Sequence, residues 1–286
     1  MNSVVEDTYF NGNPGLKCRD KFLDLSTPVV MGILNLTPDS FYGGSRYEVN
    51  ESLLKQAGSM LAEGAKILDL GGYSTRPGAQ NVSVDEEIHR VIPAIETILR
   101  QFPEAIISVD TFQSEVAQNA LESGAHIIND ISGLQFDNKL ISVLSKYNAA
   151  YILMHLKGKQ ETMHQERLGN DPITEMMMYF KSKVELLKQN EVTDIVLDPG
   201  FGFSKSMEQN YQILNELREF EKLNLPVLVG VSRKSMIYKT LNINPEEALN
   251  GTTILNTVAL MNGASILRVH DVKAAIEAVR LTQLIQ

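Results

Sequence analysis

The chain of 286 residues has a single cysteine, Cys18. One thiol excludes an intramolecular disulfide and fits a reducing, cytoplasmic setting. No histidine or acid stands directly beside it to activate it, so a quiet thiol in a strand or turn is expected. Basic residues are few: 26 Lys and Arg face 35 Asp and Glu, a net charge of −9. That balance excludes a general nucleic-acid binder, which needs a basic face, but permits a small anion gripped by a few focused cations. No apolar run approaches the ~18 residues of a membrane span. The opening MNSVVEDTYF carries neither a basic n-region nor an apolar h-region, so no signal peptide is predicted. Linker-like and low-complexity stretches are missing too, which predicts one domain over residues 29–286 behind an N-terminal extension, residues 1–28.

What is present is an ordinary globular composition, 43% hydrophobic and 21% charged. Short runs rich in Val, Ile and Leu predict strands at Val29–Leu36, Ile67–Gly71, Ile106–Asp110, His126–Ile131, Ala150–His155, Asp194–Asp198, Pro226–Val231 and Ser265–His270. They show little alternation, as strands buried on both faces do, and so point to a parallel sheet. Segments of helical period lie between them: Val49–Glu63, Val84–Gln101, Gln113–Ser123, Asn138–Lys146, Ile173–Gln189, Met207–Glu221, Pro245–Met261 and Val272–Leu284. Gly64, Gly124 and Gly263 stand where helices should stop. Eight strand–helix units in about 250 residues favour an α/β fold closed as a (β/α)₈ TIM barrel over an open doubly wound sheet. Leu16–Leu25 reads as two short strands around Arg19-Asp20, a hairpin closing the bottom of the barrel.

In such a barrel chemistry gathers at the C-terminal ends of the strands. The predicted strands or the loops after them carry Asn35, Asp69, Asp110, Asn129, Asp130, His155, Asp198, Lys234, Arg268 and His270. A lone Asp or Asn there is most often a helix cap, and Asp85 and Asp137 fit that reading. Asp110 does not, because Thr111 and Ser114 can cap the helix that follows. Three loops are rich in Gly, Pro and Ser/Thr: Asn35–Gly44, Gly71–Gly78 and Pro199–Lys205. The first two read as ordinary turns or as mobile lids suited to an anion; the third offers Phe203 as a wall and Lys205 as a cation. The GxxxxGK[ST] spacing of a Walker A loop is absent. Arg268 and His270, two apart on a strand, face one side and can share a phosphate. Zinc spacing is absent, whereas Mg²⁺ needs only one or two oxygen ligands plus phosphate, and Asn35 can supply one. The residues alone therefore indicate a barrel enzyme for a phosphorylated or pyrophosphorylated small molecule.

The chain resembles the dihydropteroate synthases. The resemblance rests on Met31–Phe41 (MGILNLTPDSF), Asp69–Ala79 (DLGGYSTRPGA), Ile107–Thr111 (ISVDT), Ile128–Gly133 (INDISG), Met154-His155, Leu197–Phe203 (LDPGFGF), Val229–Ser235 (VGVSRKS) and Leu267–Asp271 (LRVHD), in family order. It implies condensation of 6-hydroxymethyl-7,8-dihydropterin pyrophosphate with p-aminobenzoate, with Mg²⁺, in a cytoplasmic homodimer that sulfonamides target. It implies a pterin site of Asp110, Asn129, Asp198 and Lys234, with Met154 packed on the ring. Asn35, Thr75, Arg268 and His270 would hold pyrophosphate and, through Asn35, the metal. Thr75, Arg76, Pro77, Phe203, Lys234 and Ser235 would hold p-aminobenzoate. Asn35, Asp110, Lys234, Arg268 and His270 would be the catalytic set. The chain departs from the family pattern at Tyr73, where Glu is usual, and at Tyr42, where Ser-Asp precedes the glycine pair. A pterin-binding methyltransferase and a non-catalytic pterin-binding relative share part of the pattern. The first has no use for the Ser-Arg-Lys-Ser and Arg-Val-His segments, and the second should have lost Asn35, Arg268 or His270.

Overall fold

The computed structural model describes residues 9–10, 13–36, 46–72, 82–158 and 166–285. The chain begins with a small antiparallel sheet of β1 (Tyr9–Phe10), β2 (Asn13–Cys18) and β3 (Lys21–Asp24). Eight parallel strands follow: β4 (Val29–Asn35), β5 (Ile67–Gly71), β6 (Ile106–Asp110), β7 (Ile127–Asp130), β8 (Ala150–Met154), β9 (Ile195–Asp198), β10 (Leu228–Val229) and β11 (Ile266–Val269). Their order, β10-β11-β4-β5-β6-β7-β8-β9, is that of a barrel opened on paper. The parallel bridge Leu197 to Val227 brings β9 beside β10 and joins the two ends.

The helices α1 (Arg46–Glu63), α2 (Val84–Gln101), α3 (Ser114–Glu122), α4 (Leu140–Tyr147), α5 (Pro172–Gln189), α6 (Met207–Asn215), α7 (Ser235–Leu241), α8 (Leu249–Met261) and α9 (Val272–Thr282) alternate with the strands. The three predicted helix-stopping glycines, Gly64, Gly124 and Gly263, all have positive φ, where an L side chain is strained. Two predicted helices are broken. Met207–Glu221 ends at Asn215 and continues as a 3₁₀ turn, Leu217–Leu223. Pro245–Met261 divides into a 3₁₀ turn, Pro245–Glu247, and α8, because Asn244 and Glu247 form a capping box of their own. Of the two predicted caps, Asp85 lies in the first turn of α2, whose N-cap is Ser83. Asp137 accepts from Ser114 N at 2.8 Å and Lys139 N at 3.0 Å, which leaves Asp110 out of the capping of α3.

Alternation along the strands builds the interior. Leu68, Leu70, Ile107, Val109, Ile128, Leu267 and Val269 face outward into the core shared with the helices. Ile67, Ile106, Ile127 and Ile266 face inward, where they meet Val29, Met31, Ile152, Val196 and Leu228 in a dry lower layer. Leu16, Cys18 and Leu23 of the hairpin belong to that layer, so the hairpin is the floor of the barrel, as expected. Its turn is pinned at the rim: Arg19 Nη1 donates to the carbonyls of Leu121 and Ala125, both at 2.7 Å. Cys18 is fully buried and burial raises its thiol pKa, which fits a packing role.

Candidate active site

The period of two that turns Ile67, Ile106, Ile127 and Ile266 inward also turns inward the residues two places further on. These are Asp69, Ser108, Asn129 and Arg268, a polar layer above the dry one. Arg268 is its hub. Its guanidinium donates from Nε to Asp69 Oδ2 at 2.6 Å and from Nη2 to Asp110 Oδ2 at 2.8 Å. Asn129 Nδ2 donates to the same Asp69 oxygen at 3.2 Å. Asp69 is fully buried, and its Oδ1 and the Ser108 hydroxyl, register partners on β5 and β6, have no hydrogen-bond partner among the described residues. Burial raises the Asp110 carboxyl pKa, Arg268 opposes the rise, and Asp69, Glu87 and Asp130 add to it.

The opposite wall comes from β8, β9 and the loops after β9 and β10. Met154 and Asp198 are register partners at the ends of their strands. Asp198 is 8% exposed and its Oδ1 accepts from Gly200 N at 2.7 Å. Burial raises its pKa while Lys234, Arg268 and Lys205 hold it down. The turn requires glycine at 200: φ is +69°, and a Cβ would stand 2.4 Å from the His155 carbonyl. Lys234 donates to the Phe201 carbonyl at 2.6 Å and lies 5.2 Å over the Phe203 ring. Burial pushes its pKa down to about 8. Phe203 and Met154 pack with Ile131, Leu156, Phe112 and Phe136, an apolar flank beside the charged groups.

His270, just past β11, sits against Ser232: the Ser232 Oγ accepts from His270 N at 3.2 Å and lies 3.0 Å from Nδ1. The hydroxyl can donate to Nδ1, in the tautomer that carries the ring proton on Nε2. Asn35 ends β4, half-buried, two strands from Asp110 through Gly71 in the register. Ser235 is the first residue of α7, directly after Lys234.

The structure thus brings Asp110, Asn129, Met154, Asp198, Lys234, Arg268 and His270 to one end of the barrel, with Asn35, Phe203 and Ser235 on adjoining strand ends and loops. Thr75, Arg76, Pro77, Tyr42 and Tyr73 lie outside the described residues. Two further basic side chains of these loops have partners within the protein. Arg233 turns away into a two-bond ion pair with Asp271, 3.0 Å and 2.7 Å. Lys205 is buried beneath its loop rather than offered to a ligand. The anchoring role of Asp69 went unread, although its place two residues past an inward Ile was the available signal.

Fold and site together define a class: barrel enzymes whose mouth presents carboxylates, an amide and cations to a flat polar heterocycle. The family model described as pterin binding enzyme matches residues 31–270. Dihydropteroate synthase of Escherichia coli (strain K12) is 45% identical over 263 residues, 91% of this chain and 93% of that one. A Yersinia pestis dihydropteroate synthase, solved as a sulfonamide drug complex, superposes with a TM-score of 0.87 at 39% identity, over 95% of this chain and 98% of that one. The Xanthomonas albilineans enzyme with 4-aminobenzoic acid gives 0.88 at 36% identity, covering 96% and 98%. The chain belongs to the dihydropteroate synthase family of pterin-binding enzymes.

Proposed function

We propose that this protein is a transferase of folate biosynthesis. It condenses 6-hydroxymethyl-7,8-dihydropterin pyrophosphate with p-aminobenzoate and releases pyrophosphate and 7,8-dihydropteroate. The observation that carries the reading is the position of Arg268. It is tied to Asp110 directly and to Asn129 through Asp69, so a cation for a leaving anion lies beside acceptors for a heterocycle.

Each group has a task that its chemistry suits. Asp198 accepts from the 2-amino group and a ring N–H together, and Asn129 both donates and accepts along the mixed edge. Asp110 is a further acceptor, Lys234 supplies an ammonium donor, and Met154 packs on the ring. Arg268, His270 and Thr75 hold the pyrophosphate. Thr75, Arg76, Pro77, Phe203, Lys234 and Ser235 form the p-aminobenzoate site. The C–O bond to pyrophosphate breaks first and its electron pair leaves with the pyrophosphate. The pterin-methyl cation is delocalised over the ring until the arylamine nitrogen forms the C–N bond and loses a proton. No enzyme group bonds covalently to substrate. Arg268 and the His270 Nε2–H meet the charge that develops on the leaving group.

Asn35 suits a hard cation. The residue is half-buried at a strand end, and no group of three or more His, Cys, Asp or Glu able to hold a metal exists among the described residues. Bound there through Asn35 and phosphate oxygens, Mg²⁺ would neutralise the leaving pyrophosphate.

We read the protein as a cytoplasmic homodimer. No helix among the described residues is long and apolar enough to cross a membrane. Helix α8 carries no charged residue from Leu249 to Met261, yet Leu249, Ile254 and Val258 are exposed, and Leu241 at the end of α7 is 53% exposed. Ile254 and Val258, four apart on one side of α8, form an exposed apolar strip that suits a second copy of the chain.

The test is release of pyrophosphate from the pterin substrate. Release should require p-aminobenzoate, should stop when divalent metal is chelated, and should be inhibited by a sulfonamide in competition with p-aminobenzoate. Pyrophosphate-independent methyl transfer, or pterin binding without turnover, would favour the other pterin-binding classes.

A further inference from the structure

Lys205 is only 5% exposed. Its Nζ lies 3.0 Å from the Phe203 carbonyl, 3.4 Å from the His155 carbonyl and 3.3 Å from His155 Nδ1. Burial, with the Lys205 charge, pushes the His155 pKa down to about 2, so its ring is neutral and Nδ1 can accept. Three acceptors around one nitrogen match the three N–H bonds of an ammonium and exceed the two of a neutral amine. Burial, with Lys234 nearby, pushes the Lys205 pKa down to about 7, and Asp198 and Glu175 oppose the shift, which keeps the ammonium form populated at neutral pH. The next residue back repeats the connection: Ser204 Oγ accepts from Lys157 N at 3.1 Å and donates to the Lys157 carbonyl at 2.6 Å. Two adjacent side chains therefore fasten the β9–α6 loop to the segment leaving β8. The residue they fasten is Phe203, whose ring lies under the Lys234 ammonium.

We propose that Lys205 is a positioning residue for the aryl substrate: its ammonium fixes the Phe203 backbone against the end of β8 and so sets the aryl wall beneath Lys234. This rests on the synthase reading above. Lys205 itself touches neither substrate. Its removal loosens one wall of the p-aminobenzoate pocket. The pterin acceptors on β6 and β7 stay in place, Asp198 keeps the larger charges of Lys234 and Arg268, and Lys234 keeps its own bond to the Phe201 carbonyl.

The experiment compares full-length wild type, Lys205→Met, Lys205→Arg and Ser204→Ala by steady-state pyrophosphate release, varying each substrate in turn, with thermal melting alongside. Lys205→Met should raise KM for p-aminobenzoate roughly tenfold or more, the scale expected when a wall shifts by a fraction of an ångström. The kcat and the KM for the pterin pyrophosphate should stay within about threefold of wild type. Lys205→Arg should recover part of the loss. Ser204→Ala should raise the same KM by a smaller factor, and it carries the test if Lys205→Met does not fold. An unchanged p-aminobenzoate KM in folded Lys205→Met overturns the proposal. So does an equal loss for both substrates that tracks the melting temperature. A wild type that releases no pyrophosphate with p-aminobenzoate is a different result: it refutes the synthase reading and removes this inference with it.

Discussion

Asp198 and Lys234 show how one pocket tunes opposite charges. Both are buried, and burial disfavours the charged form of each, so the carboxyl pKa rises and the ammonium pKa falls. Each opposes the other's shift, and the pair is at its most useful when both are ionised. Lys234, with its pKa near 8, is protonated below that value and loses its proton above it. Pterin affinity should therefore fall as pH rises through about 8, well below the ordinary lysine range. Calorimetry with a pterin analogue across pH should show that limb in wild type and a flatter profile in Lys234→Ala. Replacing Asp198 by Ala leaves buried ring donors unpaired, at about 1–3 kcal/mol. Its pterin affinity should drop roughly tenfold or more, and an unchanged affinity in a folded variant would remove Asp198 from the site. Among the residues proposed to face the ligand, Asp110, Asn129 and His270 were legible because each closes an apolar run with a polar group, at a barrel rim where packing alone does not call for one. Asp69 was legible in the same way as a polar strand end, but its tie to Arg268, 199 positions away, was not.

The strands were legible for a simple reason. Strands buried on both faces must be apolar on both faces, and Ile67–Gly71 and Ile106–Asp110 fall where the sequence puts them. The expected Pro226–Val231 shrinks to Leu228–Val229, because its ends are taken by the closing bridge at Val227 and by the turn that aims Ser232 at His270. Helix α7 was not among the predicted segments; seven residues are too few for a hydrophobic period to declare itself. The hairpin was legible as a pair of strands, but its burial depends on the dry layer it meets. That layer gives it a separable task. Leu16→Ala should cost about 2–5 kcal/mol by opening a cavity in the floor and lower the melting temperature by on the order of 10 °C. The KM for either substrate should hold, because the polar layer lies between the floor and the mouth. A shift in KM as large as the loss of stability would show that floor and mouth are coupled.

At the scale of the molecule, the site faces one end of the barrel and the uncharged face of α8 lies on its flank, so association can proceed without covering the mouth. Ile254→Glu puts a charge in the middle of that face, where Ile254 is 53% exposed. Sedimentation should then show a monomer with pterin affinity retained, whereas an unaltered mass would place the contact elsewhere. The clasp of Arg268 by Asp69 and Asp110 also bears on which solutes the enzyme ignores. In the charge balance of the mouth, Arg268 and Lys234 stand opposite Asp69, Asp110 and Asp198, so an inorganic anion must compete with carboxylates already in place. Cellular phosphate is abundant, and an open cationic cup would spend much of its time filled with it. On the proposed reading, the arginine is given up only to an anion that arrives attached to a heterocycle able to engage the carboxylates. Inorganic phosphate should therefore be a poor inhibitor of the wild type, and Asp69→Asn, which weakens the clasp, should make the enzyme measurably more sensitive to it.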